Sequence, residues 1–350
     1  MSGIRDQFID RPVVRIYTHD RIRGFLNWLQ EWFVNSARDH CSTKCLLVED
    51  KGKTQLNQAD VLIFHAPTHK GVANKVLNGK YLKVFISMEQ PKYAKYLSDH
   101  KYLEKNFDLI STYVLRNKYP NTNVPNMPIT YYPLNILTPQ AVLAPPVPFN
   151  MKTGYDTGVH VAVFASNCKA AGATSRTQFI SQLMKLIPIH SYGKCLNNRE
   201  EPSFPSDPKW PQIAQRRARK VKTLSKYKFY MAFENFQVQD YVSEKVFESL
   251  FAGAVPIYKG TRDIWRFLPS NDSYIDANNM TPTELAALIR KLATDEGEYN
   301  KYLEYKKRPL SEEFLQITSM SYTHPNVLCR LCEYGLEHKR KKKNALVTEN

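Results

Sequence analysis

Hydrophobic positions in the first part of the chain alternate between short continuous runs and longer amphipathic segments. Runs rich in β-branched and aromatic residues predict buried strands, and they occupy residues 12–17, 60–66, 82–87 and 107–111. Residues 23–34 instead carry apolar side chains at helical spacing, which predicts an amphipathic helix. Alternating strands and helices are typical of a parallel sheet covered by helices.

The same alternation resumes after a proline-rich segment. Residues 131–150 contain five prolines and little periodicity, so we predict an extended linker there. Later strands are predicted at residues 159–166, 188–193, 228–234 and 254–258, and later helices at 176–187, 213–227 and 243–253. We therefore predict an α/β protein with two Rossmann-like domains, residues 1–150 and 151–350, that face a cleft. Open α/β sheets bind ligands at the carboxyl ends of their strands.

The charge balance favours anionic partners. Among 350 residues, 49 Lys and Arg outnumber 33 Asp and Glu, giving a net charge of +16. Such a balance suits nucleic acid, a membrane surface or a phosphate-bearing small molecule. The chain has no run of about 18 apolar residues, and its first thirty residues are too charged for the core of a signal peptide. We expect a soluble chain with a solvated, frayed basic end at residues 338–344.

Six cysteines leave three interpretations open. Four of them form two close pairs, CSTKC at residues 41–45 and CRLC at residues 329–332. The residues are buried free thiols, or they form local disulfides in an oxidising lumen, or both pairs together bind zinc. The usual C-x2-C zinc spacing occurs only once, which disfavours the third interpretation.

The candidate chemistry lies at the predicted helix start after the strand at 228–234. Ser243 is placed to cap that helix through its hydroxyl, and Gly253 is placed to end it. Glu244 and Lys245 then occupy the first turn. A carboxylate there suits the helix dipole, whereas a cation is mildly unfavourable.

That awkward lysine has a functional explanation. Free amides at a helix start attract anions, so Lys245 makes sense beside a phosphate and Glu244 beside a ribose diol. The alternative is an ordinary solvated first turn. The sequence contains no D-x-D motif, so a bound diphosphate would be held by cations and helix ends rather than by a metal on paired aspartates.

Four segments resemble the α1,3-fucosyltransferase family, in the order in which that family has them. Residues 228–260, KFYMAFENFQVQDYVSEKVFESLFAGAVPIYKG, resemble its signature block. Residues 164–198 resemble its S-N-C…R…Y-G-K-C-x-N segment, residues 85–97 its acidic M-E-x-P segment, and residues 329–333 its closing C-x-x-C. The first block is long and specific, while the M-E-x-P match is short.

The resemblance implies a GT-B glycosyltransferase that transfers L-fucose from GDP-fucose to the 3-hydroxyl of a GlcNAc residue in a glycoprotein glycan, with inversion. It implies an acceptor-side domain first and a GDP-fucose domain second. It further implies that Glu89 is the general base. The donor-binding residues that it implies are Arg176, Asn235, Tyr241, Glu244 and Lys245.

The resemblance also carries expectations about cofactors and location. No cofactor is required, with Mn2+ or Mg2+ as an optional stimulant, and relatives of this kind work in the Golgi lumen. The chain shows no anchor, so a soluble or cytoplasmic form is the alternative. The glycosylation sequons at Asn271 and Asn279 favour the lumen. Ser243, Phe236 and Gln90 depart from the residues usual in the family.

Two other functions compete with this one. A catalytically inactive relative that binds glycans would keep the fold without the transfer. A nucleic-acid-binding protein would use the net charge and the basic helix RRARKVK at residues 216–222, although no RNA-binding signature accompanies it.

Overall fold

The computed structural model describes residues 13–18, 41, 44–49, 58–71, 80–133, 138–169, 172–205, 212–322 and 325–348. The helix predicted at residues 23–34 lies outside the described residues. Internal contacts divide the chain into two units, which are residues 1–130 with 320–350, and residues 131–319.

All the sheet pairings between named strands in the described residues are parallel. The strands of the first unit, in the order β2-β1-β3-β4-β5 across its sheet, are β1 (Val13–Thr18), β2 (Lys44–Glu49), β3 (Val61–His65), β4 (Leu82–Ser87) and β5 (Leu109–Thr112). Those of the second unit, in the order β10-β9-β8-β6-β7, are β6 (Val161–Phe164), β7 (Ile189–Tyr192), β8 (Phe229–Phe233), β9 (Val255–Lys259) and β10 (Ile275–Asp276). The predicted α/β class with two parallel sheets is confirmed.

The described helices follow the predicted alternation. They are α1 (His100–Asn106), α2 (Ala173–Met184), α3 (Gln212–Leu224), α4 (Glu244–Ala252), α5 (Pro282–Thr294), α6 (Glu296–Lys301), α7 (Glu312–Ser319) and α8 (Pro325–Thr348). The basic end at residues 338–344 is therefore helical, which corrects the expectation of a frayed end. The Lys339 ammonium lies 2.8 Å from the Asp60 carboxylate, and the Lys342 ammonium donates to the Lys80 carbonyl.

Helix α8 and its disulfides explain why the observed division differs from the predicted boundary at residue 150. Cys41 is bonded to Cys329 and Cys45 to Cys332, while Cys168 is bonded to Cys195. The first two bonds span 288 and 287 residues and attach α8 to the first unit. All six cysteines are therefore paired, and none of the three predicted cysteine arrangements describes them.

The proline-rich segment belongs to the second unit rather than linking two domains. Tyr132 is fully buried, with its ring centroid 5.0 Å from that of Phe247 and 5.8 Å from that of Phe314. Val142, in the short 3-10 turn Pro139–Leu143, is also fully buried. The apolar side chains of Tyr132 and Val142 lie in the core. The linker prediction was wrong because it relied on the number of prolines and not on these apolar positions. Residues 134–137 lie outside the described residues.

A buried lysine contacts the C-terminal end of α4. Lys152 is fully buried, and its ammonium donates to the carbonyl of Gly253, the left-handed residue (φ 65°) that ends this helix. Burial, together with Lys306 and Lys228, lowers the pKa of Lys152 to about 7. Burial also lowers the pKa of Lys306 to about 8.

The lowered pKa values of Lys152 and Lys306 predict that the free energy of unfolding rises with pH. The unfolded chain keeps its Lys152 proton up to the ordinary pKa of 10.5, whereas the native chain loses it above about 7. The native state thus binds fewer protons between these values, and its free energy of unfolding increases with pH by at most about 1.4 kcal/mol per unit for each lysine. Urea unfolding between about pH 7 and about pH 9 measures this slope. Lys152→Met should reduce the slope of the unfolding free energy with pH, whereas the exposed control Lys185→Met should not. Equal slopes in the wild type and both variants would contradict the prediction.

Candidate active site

The strand order of the second unit marks one place on its sheet. In the order β7-β6-β8-β9-β10, the chain direction across the sheet reverses between β6 and β8. Loops at such a reversal diverge and leave a crevice at the carboxyl ends of the strands, where ligands bind. Residues 165–167 follow β6 and residues 234–235 follow β8.

An open cleft of about 430 Å3 lies at this reversal. Its lining includes Ser166 and Asn167 after β6 and Asn235 after β8. Five cationic side chains and three carboxylates also line it, namely Arg176, Arg216, Arg217, Lys220, Lys245, Glu201, Glu244 and Glu248. The excess of positive charge suits an anionic ligand.

A glycine at the start of α2 allows close contact with the loop that follows β8. Gly172 precedes the helix with φ 79°, a left-handed conformation that L side chains rarely adopt. A Cβ at this position would lie 2.0 Å from the carbonyl oxygen of Asn235. Only glycine therefore allows the loop after β8 to lie against the start of α2.

The start of α4 carries a buried ion pair that the sequence did not predict. The Lys245 ammonium lies 3.2 Å from the carboxylate of Glu234 and donates to the Ser243 hydroxyl at 2.6 Å. The Glu234 side chain is fully buried and that of Lys245 is 13% exposed. Burial lowers the pKa of Lys245, but Glu234 and Glu244 outweigh it, so the pKa is raised and the side chain is a cation.

Ser243 begins α4 as predicted, but its hydroxyl does not cap the helix. The hydroxyl donates to the Glu234 carboxylate, whose two oxygens lie 2.8 and 2.7 Å away, and the Ser243 amide donates to the same carboxylate at 2.8 Å. The predicted cap is wrong because a fully buried carboxylate needs these hydrogen bonds more than the first turn does.

Glu244 is ionised and faces several cations. Burial raises its pKa, but Lys245, Lys220 and Arg217 outweigh burial and hold it at about 2. Its side chain remains 27% exposed, with an oxygen 3.7 Å from the Lys245 ammonium. At neutral pH this carboxylate can only accept hydrogen bonds, which fits a ligand that donates hydroxyl protons.

Helix α3 supplies two of these cations. The Lys220 ammonium lies 2.5 Å from the carboxylate of Glu248, and the Arg217 guanidinium 4.0 Å from it. Burial raises the pKa of Glu248, and Lys220 opposes that rise. The basic helix that suggested nucleic-acid binding thus directs part of its charge at α4 and the cleft.

Arg176 and Asn235 meet at the cleft. The Arg176 guanidinium, only 7% exposed, donates to the side-chain oxygen of Asn235 and, at 2.6 Å, to the Asn167 carbonyl. It therefore ties the loop after β6 to the loop after β8. A direct contact between Arg176 and a diphosphate stays a prediction.

Tyr241 and Glu89 lie elsewhere. Tyr241 is 3% exposed, packs edge-on against Tyr131 and is not among the residues that line the cleft. Glu89 belongs to the first unit and follows β4, where its amide donates to the Ser87 hydroxyl at 3.0 Å. It is half-buried at the carboxyl end of a strand, and its role as a base stays a prediction.

Comparison with known protein families shows to which of them the chain belongs. The family described as glycosyltransferase family 10 (fucosyltransferase), C-terminal part, matches residues 156–349, more than half of the chain. The chain belongs to glycosyltransferase family 10. The described residues of the cleft all lie within the matched segment.

Relatives of this family 10 chain carry different names. It is 34% identical over 222 residues to a GDP-fucose protein O-fucosyltransferase 3 of Danio rerio, covering 63% of this chain and 45% of the relative. It is 29% identical over 236 residues to alpha-(1,3)-fucosyltransferase B of Drosophila melanogaster, covering 65% of this chain and 50% of the relative. The chain thus spans half or less of the length of these curated relatives.

Solved structures agree in fold. A crystal structure of an alpha1,3-fucosyltransferase with GDP matches with a TM-score of 0.58 and 17% identity, covering 93% of this chain and 92% of that one. A second, with GDP-fucose, matches with a TM-score of 0.56 and 15% identity, covering 94% and 93%. At this identity the matches show the fold, that of GT-B fucosyltransferases.

Sequence reasoning missed several residues at this family 10 site. Arg217 and Lys220 are three positions apart on α3, and Glu244 and Glu248 are four positions apart on α4, so each pair shares a helix face. Two cations on one face of α3 and two carboxylates on one face of α4 could have predicted that these helices pack against each other through charged side chains. Glu234 gave none, because a carboxylate after a strand is equally common in a surface loop.

Among the described residues, no group of three or more His, Cys, Asp or Glu side chains is arranged to hold a metal ion. No helix in the described part of the chain combines the length and apolar character of a membrane-spanning segment.

Proposed function

We propose that this protein transfers L-fucose from GDP-fucose to a hydroxyl of a glycan acceptor. The observation that supports this most strongly is the cleft between the ends of β6 and β8, where an ionised Glu244 adjoins Lys245, Lys220 and Arg217. A nucleoside diphosphate presents both a ribose diol and a charged diphosphate. The carboxylate would accept hydrogen bonds from the diol, and the cations would bind the phosphate oxygens.

The proposed chemistry is a single displacement that inverts the anomeric carbon. The acceptor oxygen forms a bond to C1 of fucose while the bond from C1 to the phosphate oxygen breaks. The acceptor proton passes to Glu89, and the electron pair leaves with GDP. Lys245 and its neighbouring cations stabilise the negative charge that develops on the diphosphate. No cofactor is required for this step, and Mn2+ or Mg2+ would act only as stimulants of turnover.

The proposed acceptor is the 3-hydroxyl of a GlcNAc residue in a glycoprotein glycan. The Drosophila relative named alpha-(1,3)-fucosyltransferase B supports it. A second candidate acceptor is a hydroxyl of a protein side chain, which the relatives named GDP-fucose protein O-fucosyltransferase 3 favour. We propose that the enzyme works in an oxidising compartment such as the Golgi lumen, which its three disulfides suit.

A transfer assay tests the proposal. The full chain is incubated with radiolabelled GDP-fucose and either GlcNAc-terminated glycans, N-acetyllactosamine, N-glycan cores or a folded protein substrate. We expect label on a GlcNAc-containing glycan, released by an α1,3-specific fucosidase. Label on the protein substrate alone would replace the glycan acceptor by the protein one. GDP-fucose binding without transfer to any acceptor would favour the catalytically inactive glycan-binding relative.

A further inference from the structure

The C-terminal part of α8 carries a cluster of cations that the proposed function does not use. Lys339, Arg340, Lys341 and Lys342 are all exposed. The Lys342 ammonium donates to the carbonyl of Lys80 at 3.0 Å, and Lys80 is exposed as well. We call these five residues the basic patch.

The first unit carries most of the positive charge of the chain. Residues 1–130 and 320–350 contain 25 Lys and Arg but 15 Asp and Glu, which gives +10 of the total charge of +16. The cleft proposed to bind GDP is lined by residues of the second unit. A phosphate-bearing donor therefore does not account for the charge of the first unit.

Carboxylates of the chain neutralise the basic patch only in part. The Lys339 ammonium lies 2.8 Å from the Asp60 carboxylate, and the Lys341 ammonium lies 2.6 Å from that of Glu337. Among the described residues, no carboxylate lies within ion-pair distance of the other three cations of the patch. An anion from outside the chain would compensate these charges.

The cations of the patch also repel one another. Partial burial lowers the pKa of the Lys342 ammonium. The positive charges of Lys83 and Lys80 lower it further, while Asp108 opposes the decrease. A nearby anion favours the charged form of such a group, so a bound anion would relieve this repulsion.

The fold holds the basic patch in place. Helix α8 packs against β1, β2, β3 and β4. The disulfides Cys41–Cys329 and Cys45–Cys332 attach the same helix to the first unit. Cations on a fixed backbone lose less entropy when they bind a ligand than cations on a disordered tail.

The patch and the proposed base lie at opposite ends of one strand. Lys80 comes two residues before β4, and Glu89 comes two residues after it. Six residues of strand span about 20 Å. A ligand on the patch would therefore leave the surroundings of Glu89 open.

The surroundings of the patch favour a ligand that binds through charge alone. Membrane-bound helices and protein interfaces combine cations with apolar or aromatic side chains. In the described part of the chain, the exposed large apolar side chains all belong to the second unit, namely Met151, Leu186, Trp265 and Leu315. The three disulfides suit an oxidising compartment, which disfavours nucleic acid as the partner.

We propose that the basic patch binds a sulfated polysaccharide. Its sulfate oxygens would accept charge-assisted hydrogen bonds from Lys80, Arg340 and Lys342. The inference does not depend on the proposed function, because the patch contains none of the residues assigned to GDP-fucose or to the base.

Titration of heparin into the full chain, followed by calorimetry at several NaCl concentrations, tests the proposal. We expect saturable binding that weakens as salt rises, because binding to a polyelectrolyte releases its counterions. The triple variant Arg340→Gln/Lys341→Gln/Lys342→Gln should weaken the binding at least tenfold. The double variant Lys80→Gln/Arg340→Gln keeps the ion pair of Lys341 and should weaken it at least threefold, which tests the proposal if the triple variant does not fold.

A matched control separates the patch from net charge. Lys185→Gln/Lys226→Gln/Lys291→Gln removes three exposed cations from the second unit, and it should keep heparin affinity within twofold of the wild type. Chemically desulfated heparin should not bind. Fucose transfer is measured separately, so a chain without transfer activity that binds heparin through the patch would refute the proposed function and leave this inference standing.

Several outcomes would overturn the inference. These are the absence of saturable heparin binding, an equal loss in the triple variant and the matched control, or equal binding of desulfated heparin. Tighter binding to phosphatidylserine vesicles would assign the patch to a membrane instead. Tighter binding to polyglutamate or to duplex DNA would assign it to an acidic polypeptide or to nucleic acid.

Discussion

Lys245→Ala is expected both to weaken GDP binding and to destabilise the second unit. The ammonium lies 3.2 Å from the fully buried carboxylate of Glu234. Removing one partner of such a pair leaves a buried charge without compensation and costs about 3–5 kcal/mol of unfolding free energy. A hydrogen bond to a charged group is worth about 1.5–3 kcal/mol, so GDP affinity should fall about 10- to 100-fold.

A second variant separates these two effects. Glu234→Gln/Lys245→Met removes both charges, so it should recover most of the lost unfolding free energy in urea denaturation. It should not recover GDP affinity, measured by isothermal titration calorimetry, because the cation is still absent. Wild-type affinity in the double variant would refute the phosphate role of Lys245. An unchanged unfolding free energy in Lys245→Ala would refute the stabilising ion pair.

Glu89→Gln is expected to reduce kcat about 10²- to 10⁴-fold, the usual contribution of a general base. The amide keeps the size of the side chain and cannot accept the acceptor proton. Affinity for GDP should not change, since Glu89 belongs to the first unit and the cleft proposed to bind GDP is lined by residues of the second. Initial rates at saturating GDP-fucose measure the loss.

A matched carboxylate provides the control for Glu89. Glu104 is an exposed residue of α1 in the same unit, so Glu104→Gln should keep wild-type kcat. Turnover by Glu89→Gln within twofold of the wild type would remove Glu89 as the base without contradicting the proposed GDP-fucose site.

Local pattern was enough to predict most of the fold. The strand, helix and strand of residues 229–259 were predicted with small errors at their ends, because buried runs and a glycine stop mark them clearly. Strand β2 (Lys44–Glu49) was missed. Its short run combines a lysine, a cysteine and a glutamate with few β-branched residues, so pairing with β1 rather than local preference fixes it.

The site was predictable where chemistry follows from position in a helix. Glu244 and Lys245 line the cleft together with Arg176 and Asn235, whereas Tyr241 does not, and the donor-binding roles of all five stay predictions. The partners of Lys245 were not predictable, because Glu234 lies eleven positions earlier in the chain. Which polar side chain a buried charge selects is decided by packing across the sheet.

Disulfide connectivity was beyond sequence reasoning for a related reason. Six cysteines allow fifteen pairings, and close spacing suggested local bonds. The parallel register of β1 and β2 and the position of α8 instead bring residues nearly 290 positions apart within bonding distance, with Cα atoms 5.2 and 6.0 Å apart. Long-range bonds of this kind become visible only when the fold is known.

The attachment of α8 to β1 and β2 has a consequence for the order of events during synthesis. The first unit needs residues 320–350, whereas residues 131–319 form a continuous unit. A chain that leaves the ribosome from its N-terminus can fold its middle first. Residues 1–130 are then completed only after residues 320–350 have been made, and Cys41 and Cys45 can form their native disulfides only once Cys329 and Cys332 have followed them.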